Sequence, residues 1–159
     1  MGHESRFKKE YPKAKKLYSS IGFIDSPFFD TKIYFTTDGF HHLRYNESGS
    51  ERRKQTQLLK MSLIATAKII LEKSGTSQEY RKQFGIVGRK KRDGSREMKE
   101  MEYWGFVAIA DGYNKKKIHV RVIVRRIGNG KYHFWSVMPH SRLKNKDTYK
   151  LASETITDE

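Results

Sequence analysis

Cysteine is absent from the sequence, which excludes disulfides and every metal site that depends on thiolate ligands. Acidic residues are scarce. The 33 Lys and Arg stand against 18 Asp and Glu, a formal charge of +15 on 159 residues. A one-signed surplus of that size points to a polyanionic partner, nucleic acid ahead of membrane. No long apolar run and no signal-peptide core is present, so no membrane partner is expected and the expected location is the reducing cytoplasm. Also missing are a Gly-rich phosphate loop, a serine nucleophile elbow and a metalloprotease helix signature. The carboxylates are scattered beside Lys and Arg, not gathered into a two-metal nuclease cluster. No cofactor is implied. His41-His42 is the only adjacent histidine pair; read as strand residues, the two point to opposite faces and form no chelate, so no metal site is expected.

The clearest positive signal is Lys117 to His140, KIHVRVIVRRIGNGKYHFWSVMPH. Ile118, Val120, Val122 and Val124 alternate with His119, Arg121 and Arg125, the period of two of a half-buried strand. Asn129-Gly130 then marks a hairpin turn. A two-residue loop sets Val124 opposite Trp135 and Ile123 opposite Ser136. It predicts an apolar face of Val120, Val122, Val124, Trp135 and Val137. The other face then carries His119, Arg121, Arg125, Tyr132, Phe134 and Ser136. A three-residue loop would slip the second strand and bring His133 and Trp135 to the cationic face instead. Cations interleaved with aromatics suit RNA, because guanidinium groups take phosphates and rings take bases.

Along the rest of the chain, residues 1–20 read as a basic N-terminal arm interrupted by Pro12, residues 21–140 as a single α+β domain, and residues 141–159 as a polar tail. Lys32 to Thr36 predicts a short strand. Residues 51–73 predict one long helix, with Ser50 as N-cap, Gly75 as the stop, and Leu59, Leu63 and Ile70 in the core. Gln78 to Phe84 reads as a short helix. Arg89, Lys90, Lys91 and Arg92 open a cationic loop that turns at Asp93-Gly94, a candidate phosphate contact together with His119, Tyr132 and His133. Tyr103 to Ala110 is a strand. The expected fold is therefore α+β: an antiparallel three- to four-stranded meander with one long helix packed on one face.

RNA cleavage needs no metal. A 2′-hydroxyl can attack the neighbouring phosphorus if one group takes its proton, another protonates the leaving oxygen, and cations stabilise the phosphoryl charge. Histidine is the residue type suited to move such a proton, and the chain offers His41 or His42, His119 and His133. Arg121, Arg125 and Arg126 can grip phosphate, and Ser136 can hydrogen-bond it. The element Phe40-His41-His42-Leu43-Arg44, the helix that follows, and the strands Lys117–Arg126 and Tyr132–Met138 resemble the barnase–EndoU–colicin–RelE nuclease superfamily, in particular its phage and mobile-element branch. The resemblance spans residues 32–140. It implies a metal-independent endoribonuclease of toxin or mobile-element type. By position, His42 becomes the upstream histidine, Arg121 or Arg125 the mid-strand cation, and Ser136 the polar residue of the last strand. A RelE-like variant, in which Lys and Arg do the chemistry, fits this composition. The alternative is a non-catalytic RNA- or DNA-binding module, such as a phage or conjugation accessory protein. A third reading gives the chain an acidic antitoxin or immunity protein as partner.

Overall fold

The structure is a computed structural model that describes residues 2–87, 90–111 and 117–140. Among the described residues, four helices and a six-stranded, mostly antiparallel sheet make an α+β fold. In chain order these are α1 (His3–Ile21), β1 (Phe23–Ser26), β2 (Thr31–Tyr34), α2 (Thr37–Arg44), α3 (Lys54–Ser62), α4 (Ile64–Lys73), β3 (Glu79–Val87), β4 (Glu97–Asp111), β5 (Lys117–Ile127) and β6 (Tyr132–Pro139). The sheet order is β1-β2-β6-β5-β4-β3. Every pairing is antiparallel except β2 with β6, which run parallel through Ile33↔Tyr132 and Tyr34↔His133. Among the described residues no helix is long and apolar enough to cross a membrane.

The stretch expected to be an arm is α1, a helix that continues through Pro12. Phe7, Ala14 and Tyr18 form one buried stripe on it, and that apolar stripe holds the helix against the core despite the missing amide. Its lysines Lys8, Lys9, Lys13, Lys15 and Lys16 face solvent. Residues 40–44, read as the end of a strand, belong instead to α2, whose N-cap Thr36 accepts from the Gly39 amide. His41 and His42 are therefore consecutive on a helix.

The long helix expected over 51–73 is two helices. Residues 46–50 make a turn, Tyr45 bridges Glu51, and α3 begins only at Lys54 with Arg53 as its N-cap. At Leu63 the backbone leaves helical ψ (φ −101°, ψ 3°), and its amide bonds Lys60 O in a tighter turn. The bend brings Leu63, Ile64, Ala67, Ile70 and Leu71 into the core and leaves Leu59 45% exposed. Burial of Leu63 and Ile70 agrees with the sequence; the position of Leu59 does not. Residues 79–87 form strand β3, not a short helix, paired along β4 from Glu79↔Gly105 to Val87↔Glu97.

The β5–β6 hairpin combines both anticipated registers. From Arg121 to Ile123 the pairs are those of the two-residue loop, ending in Ile123↔Ser136. Beyond that the pairs shift to Val124↔Phe134 and Arg125↔His133, and Trp135 is the extra residue of a bulge. The turn also falls one residue earlier than Asn129-Gly130: Gly128 takes positive φ (55°), and the Gly130 amide donates to Ile127 O. A bulge sets two successive side chains on one side. The consequence reverses the expected faces for the aromatics. Phe134 and Tyr132 join Val120, Val122, Val124 and Val137 in the main core under the helices. Trp135 packs on the second face with Met101, Tyr103 and Ile123.

Candidate active site

The second face of the sheet collects polar groups from five elements. Strand alternation places Arg121 and Arg125 of β5 on either side of Ile123, and Ile123 stands opposite Ser136 of β6. Arg121 is 1% exposed and donates two hydrogen bonds to Glu79 of β3, Nε to Oε1 at 2.8 Å and Nη2 to Oε2 at 3.1 Å. This two-point grip is the geometry a guanidinium favours with a carboxylate. Arg125 lies 3.5 Å over the Trp135 ring and donates Nε to His133 Nε2 at 3.0 Å.

His42 comes from α2 and stacks on the same indole, ring centroids 4.0 Å apart. Arg52 holds it, with Nε donating to the His42 carbonyl at 3.0 Å and Nη2 lying 3.2 Å from His42 Nε2. His42 is buried. In the last turn of α3, the buried Lys60 donates to Ser136 Oγ at 3.0 Å and to Val137 O at 3.4 Å. The buried Trp135 Nε1 has no hydrogen-bond acceptor among the described residues.

Electrostatics sort the histidines. Burial, and then the neighbouring Arg125, lower His133 to about 4. At neutral pH its Nε2 is therefore an acceptor, and the ring serves to orient Arg125. His140 is lowered to about 4 by burial, then by Arg121 and His119, while its amide donates to the His119 carbonyl. Burial also raises the Tyr103 hydroxyl, against the opposing effect of Arg125.

Of the residues read from the sequence, His42, Arg121, Arg125 and Ser136 gather on this face, with His119 and His133 at its borders. Tyr132 does not join them. It stacks on Phe29 in the main core (3.9 Å), and its hydroxyl accepts from Arg126. Arg126 turns to that side too, gripping Glu102. His41 points elsewhere and stacks on Tyr45. Lys90, Lys91 and Arg92 are exposed in the β3–β4 loop, about 20 Å along β4 from Tyr103 at a strand rise near 3.3 Å. Arg89 lies outside the described residues. Among the described residues no His, Asp and Glu cluster could hold a metal ion.

Sequence reading missed Glu79, Lys60, Arg52 and the placement of Trp135. Glu79 becomes visible only once 79–87 is a strand. The signal for Lys60 was a lone cation inside the apolar run Leu58 to Leu63, a position where a lysine is buried only with partners. None of the known protein families, curated proteins or solved structures compared with the chain matches it.

Proposed function

We propose that the protein is a metal-independent endoribonuclease working on the second face of the sheet. The observation that carries this reading is the indole of Trp135, which contacts the imidazole of His42 and the guanidinium of Arg125 and whose buried N–H has no partner among the described residues. His42 would move the proton. Arg125 and Arg121 would stabilise charge on the phosphoryl oxygens, with Ser136, held by Lys60, hydrogen-bonded to the same phosphate. Glu79 supplies a carboxylate beside Arg121, a group the resemblance to barnase-like nucleases makes relevant as a second proton acceptor. The 2′-oxygen attacks phosphorus in line and the bond to the 5′-oxygen breaks. The proton from the 2′-hydroxyl passes to the base and another returns to the leaving oxygen, giving a 2′,3′-cyclic phosphate.

The test is incubation of purified protein with total RNA in chelator, followed by analysis of the ends. Cyclic phosphate ends are expected. His42→Ala should lower the rate by about 10²–10⁴, the usual effect of removing a positioned acid or base. Intact RNA in both chelator and magnesium, despite binding, would remove the enzyme reading. A second reading, a non-catalytic nucleic-acid-binding module, draws on the exposed lysines of α1. They can follow a phosphate backbone without any proton transfer.

A further inference from the structure

One row of side chains crosses the whole sheet on its second face. Arg81 of β3 stands opposite Tyr103 of β4, and Tyr103 opposite Arg125 of β5. The row continues through His133 of β6 and Tyr34 of β2 to Phe23 of β1. The strand neighbours Trp104, Val124, Phe134, Ile33 and Ile24 all lie in the main core, so by alternation the row points away from the helices. Its middle is the candidate site. Its β1–β2 end takes no part in the chemistry proposed above and is open: Phe23 is 46% exposed and Tyr34 is half-buried, with the two rings 6.0 Å apart.

Each of these rings carries a cation. Lys32 Nζ lies 4.2 Å from the Phe23 centroid and Lys131 Nζ 4.6 Å from that of Tyr34. Neither lysine is ion-paired among the described residues, although Asp25 stands opposite Lys32 across the strand pair. A hollow lined by Tyr34, Thr36, Ile127, Gly130, Lys131 and His133 spans the step from this end toward the candidate site.

We propose that Phe23 and Tyr34, with Lys32 and Lys131, form a stacking platform for single-stranded RNA and hold nucleotides that flank the cleaved phosphate. Local charge does not select this occupant, since the two lysines have two acids near them, Asp25 and Asp38, the second acting on His133. The rings select it. A cation over an exposed ring is weakly held and must give way to whatever stacks there. An apolar protein side chain would displace the ammonium and offer it nothing. A nucleotide brings a base for the ring and a phosphate for the displaced ammonium. Duplex bases are already stacked on one another, so the strand must be single. Three strand spacings separate Phe23 from Arg125, about 14 Å, a distance that a few nucleotides cover. The proposal rests on the endoribonuclease reading for the course of the strand toward Trp135, but not for binding on the rings.

The test measures binding apart from cleavage. Fluorescence anisotropy of the full chain uses a labelled 2′-O-methyl RNA of about ten nucleotides, which has no hydroxyl to attack and is not cut. Phe23→Ala and Tyr34→Ala should each weaken binding about five- to a hundredfold, the usual loss for one stacked base. Phe23→Trp should keep the affinity, and its added indole emission should fall as the oligonucleotide binds. Lys32→Gln together with Lys131→Gln should lower the log–log salt slope by about 1 to 2. The same sequence as a duplex should bind less tightly and should be indifferent to Phe23→Ala. Unchanged single-strand affinity in Phe23→Ala, or equal losses for single strand and duplex, overturns the platform whether or not RNA is cut. Losses confined to the single strand support it even where natural RNA stays intact, and that intact RNA would remove the nuclease reading alone. Phe23 is exposed, so its variants decide the matter if Tyr34→Ala does not fold.

Discussion

Gly39→Ala separates two pictures of α2 by the sign of its effect. At an exposed helical position the substitution stabilises by up to about 1 kcal/mol, because alanine has less backbone freedom to lose. Here an added Cβ would overlap the Phe134 carbonyl oxygen and lie 2.6 Å from the Tyr18 hydroxyl and 3.2 Å from Phe134 Cδ1. Neither obstacle can yield cheaply. The carbonyl belongs to β6, Phe134 is fully buried and stacks on Phe35 at 4.9 Å, and the Tyr18 hydroxyl is fixed on Thr36 O at 2.6 Å. Helix α2 must therefore move on the order of 1 Å to restore ordinary contact distances. Overpacking of this kind costs about 1–3 kcal/mol, which outweighs the propensity gain. Urea denaturation followed by tryptophan fluorescence should show a net loss of roughly 1–2 kcal/mol. His42 sits three residues along the same helix, so its 4.0 Å stack on Trp135 should open. Tryptophan emission of the folded variant should shift, and RNA cleavage should fall with it. Gly85→Ala is the control, since the obstacle there is the sulfur of Met101, the end of a side chain that can rotate away. Stabilisation by Gly39→Ala would refute the close seating of α2 on β6.

Leu63→Ala, at the α3–α4 bend and 6% exposed, should destabilise by about 2–5 kcal/mol in the same assay; a loss below about 1 kcal/mol would mean the bend is not packed. His133, lowered to about 4 in the fold, takes up its proton in the unfolded chain first, near pH 6.5. Its contribution is therefore complete above pH 6.5 and is lost as pH falls toward 4, about 3 kcal/mol in all. Unfolding free energy measured from pH 7 to 5 should decline, and His133→Asn should remove about half of the decline, the rest coming from His140, which is lowered to about 4 as well; a flat profile for the unmodified protein contradicts it. Binding to RNA should weaken with salt at a log–log slope near −4 to −5 if about six phosphates are contacted. A slope near zero would leave the basic surface without a role in binding.

The strands with strict alternation and a turn signal, β4 to β6, were legible because period two and Gly-containing turns are written locally. The helix-facing slab of Val120, Val122 and Val124 followed from that alternation alone. The bulge at Trp135 was not legible. It depends on how Gly128, rather than Gly130, accommodates positive φ, and a one-residue shift exchanged Phe134 and Trp135 between faces. Helix α1 was hidden by Pro12, whose local cost is offset by contacts of Phe7 and Tyr18 with residues more than twenty positions away. Strand β3 was hidden by its composition, since Glu, Arg, Lys and Gln favour helices and only pairing with β4 decides otherwise. The candidate site was legible in part for the same reason. Arg121, Arg125 and Ser136 lie on the readable hairpin, whereas Glu79, Lys60 and Arg52 reach it from segments whose form is set by tertiary contact.

The parallel pairing of β2 with β6 also sets an order of events in time. Ile33 meets Tyr132, so 132 − 33 = 99 residues separate two neighbours in the sheet. At about 5–20 residues per second on the ribosome, roughly 5–20 s pass between synthesis of β2 and synthesis of its partner. Through that interval Phe35 and Tyr18 have no Phe134 to pack on. Tyr18, Phe35 and Phe40 can pack on one another in the meantime, but the face that closes on Phe134 is completed only when β6 has been made.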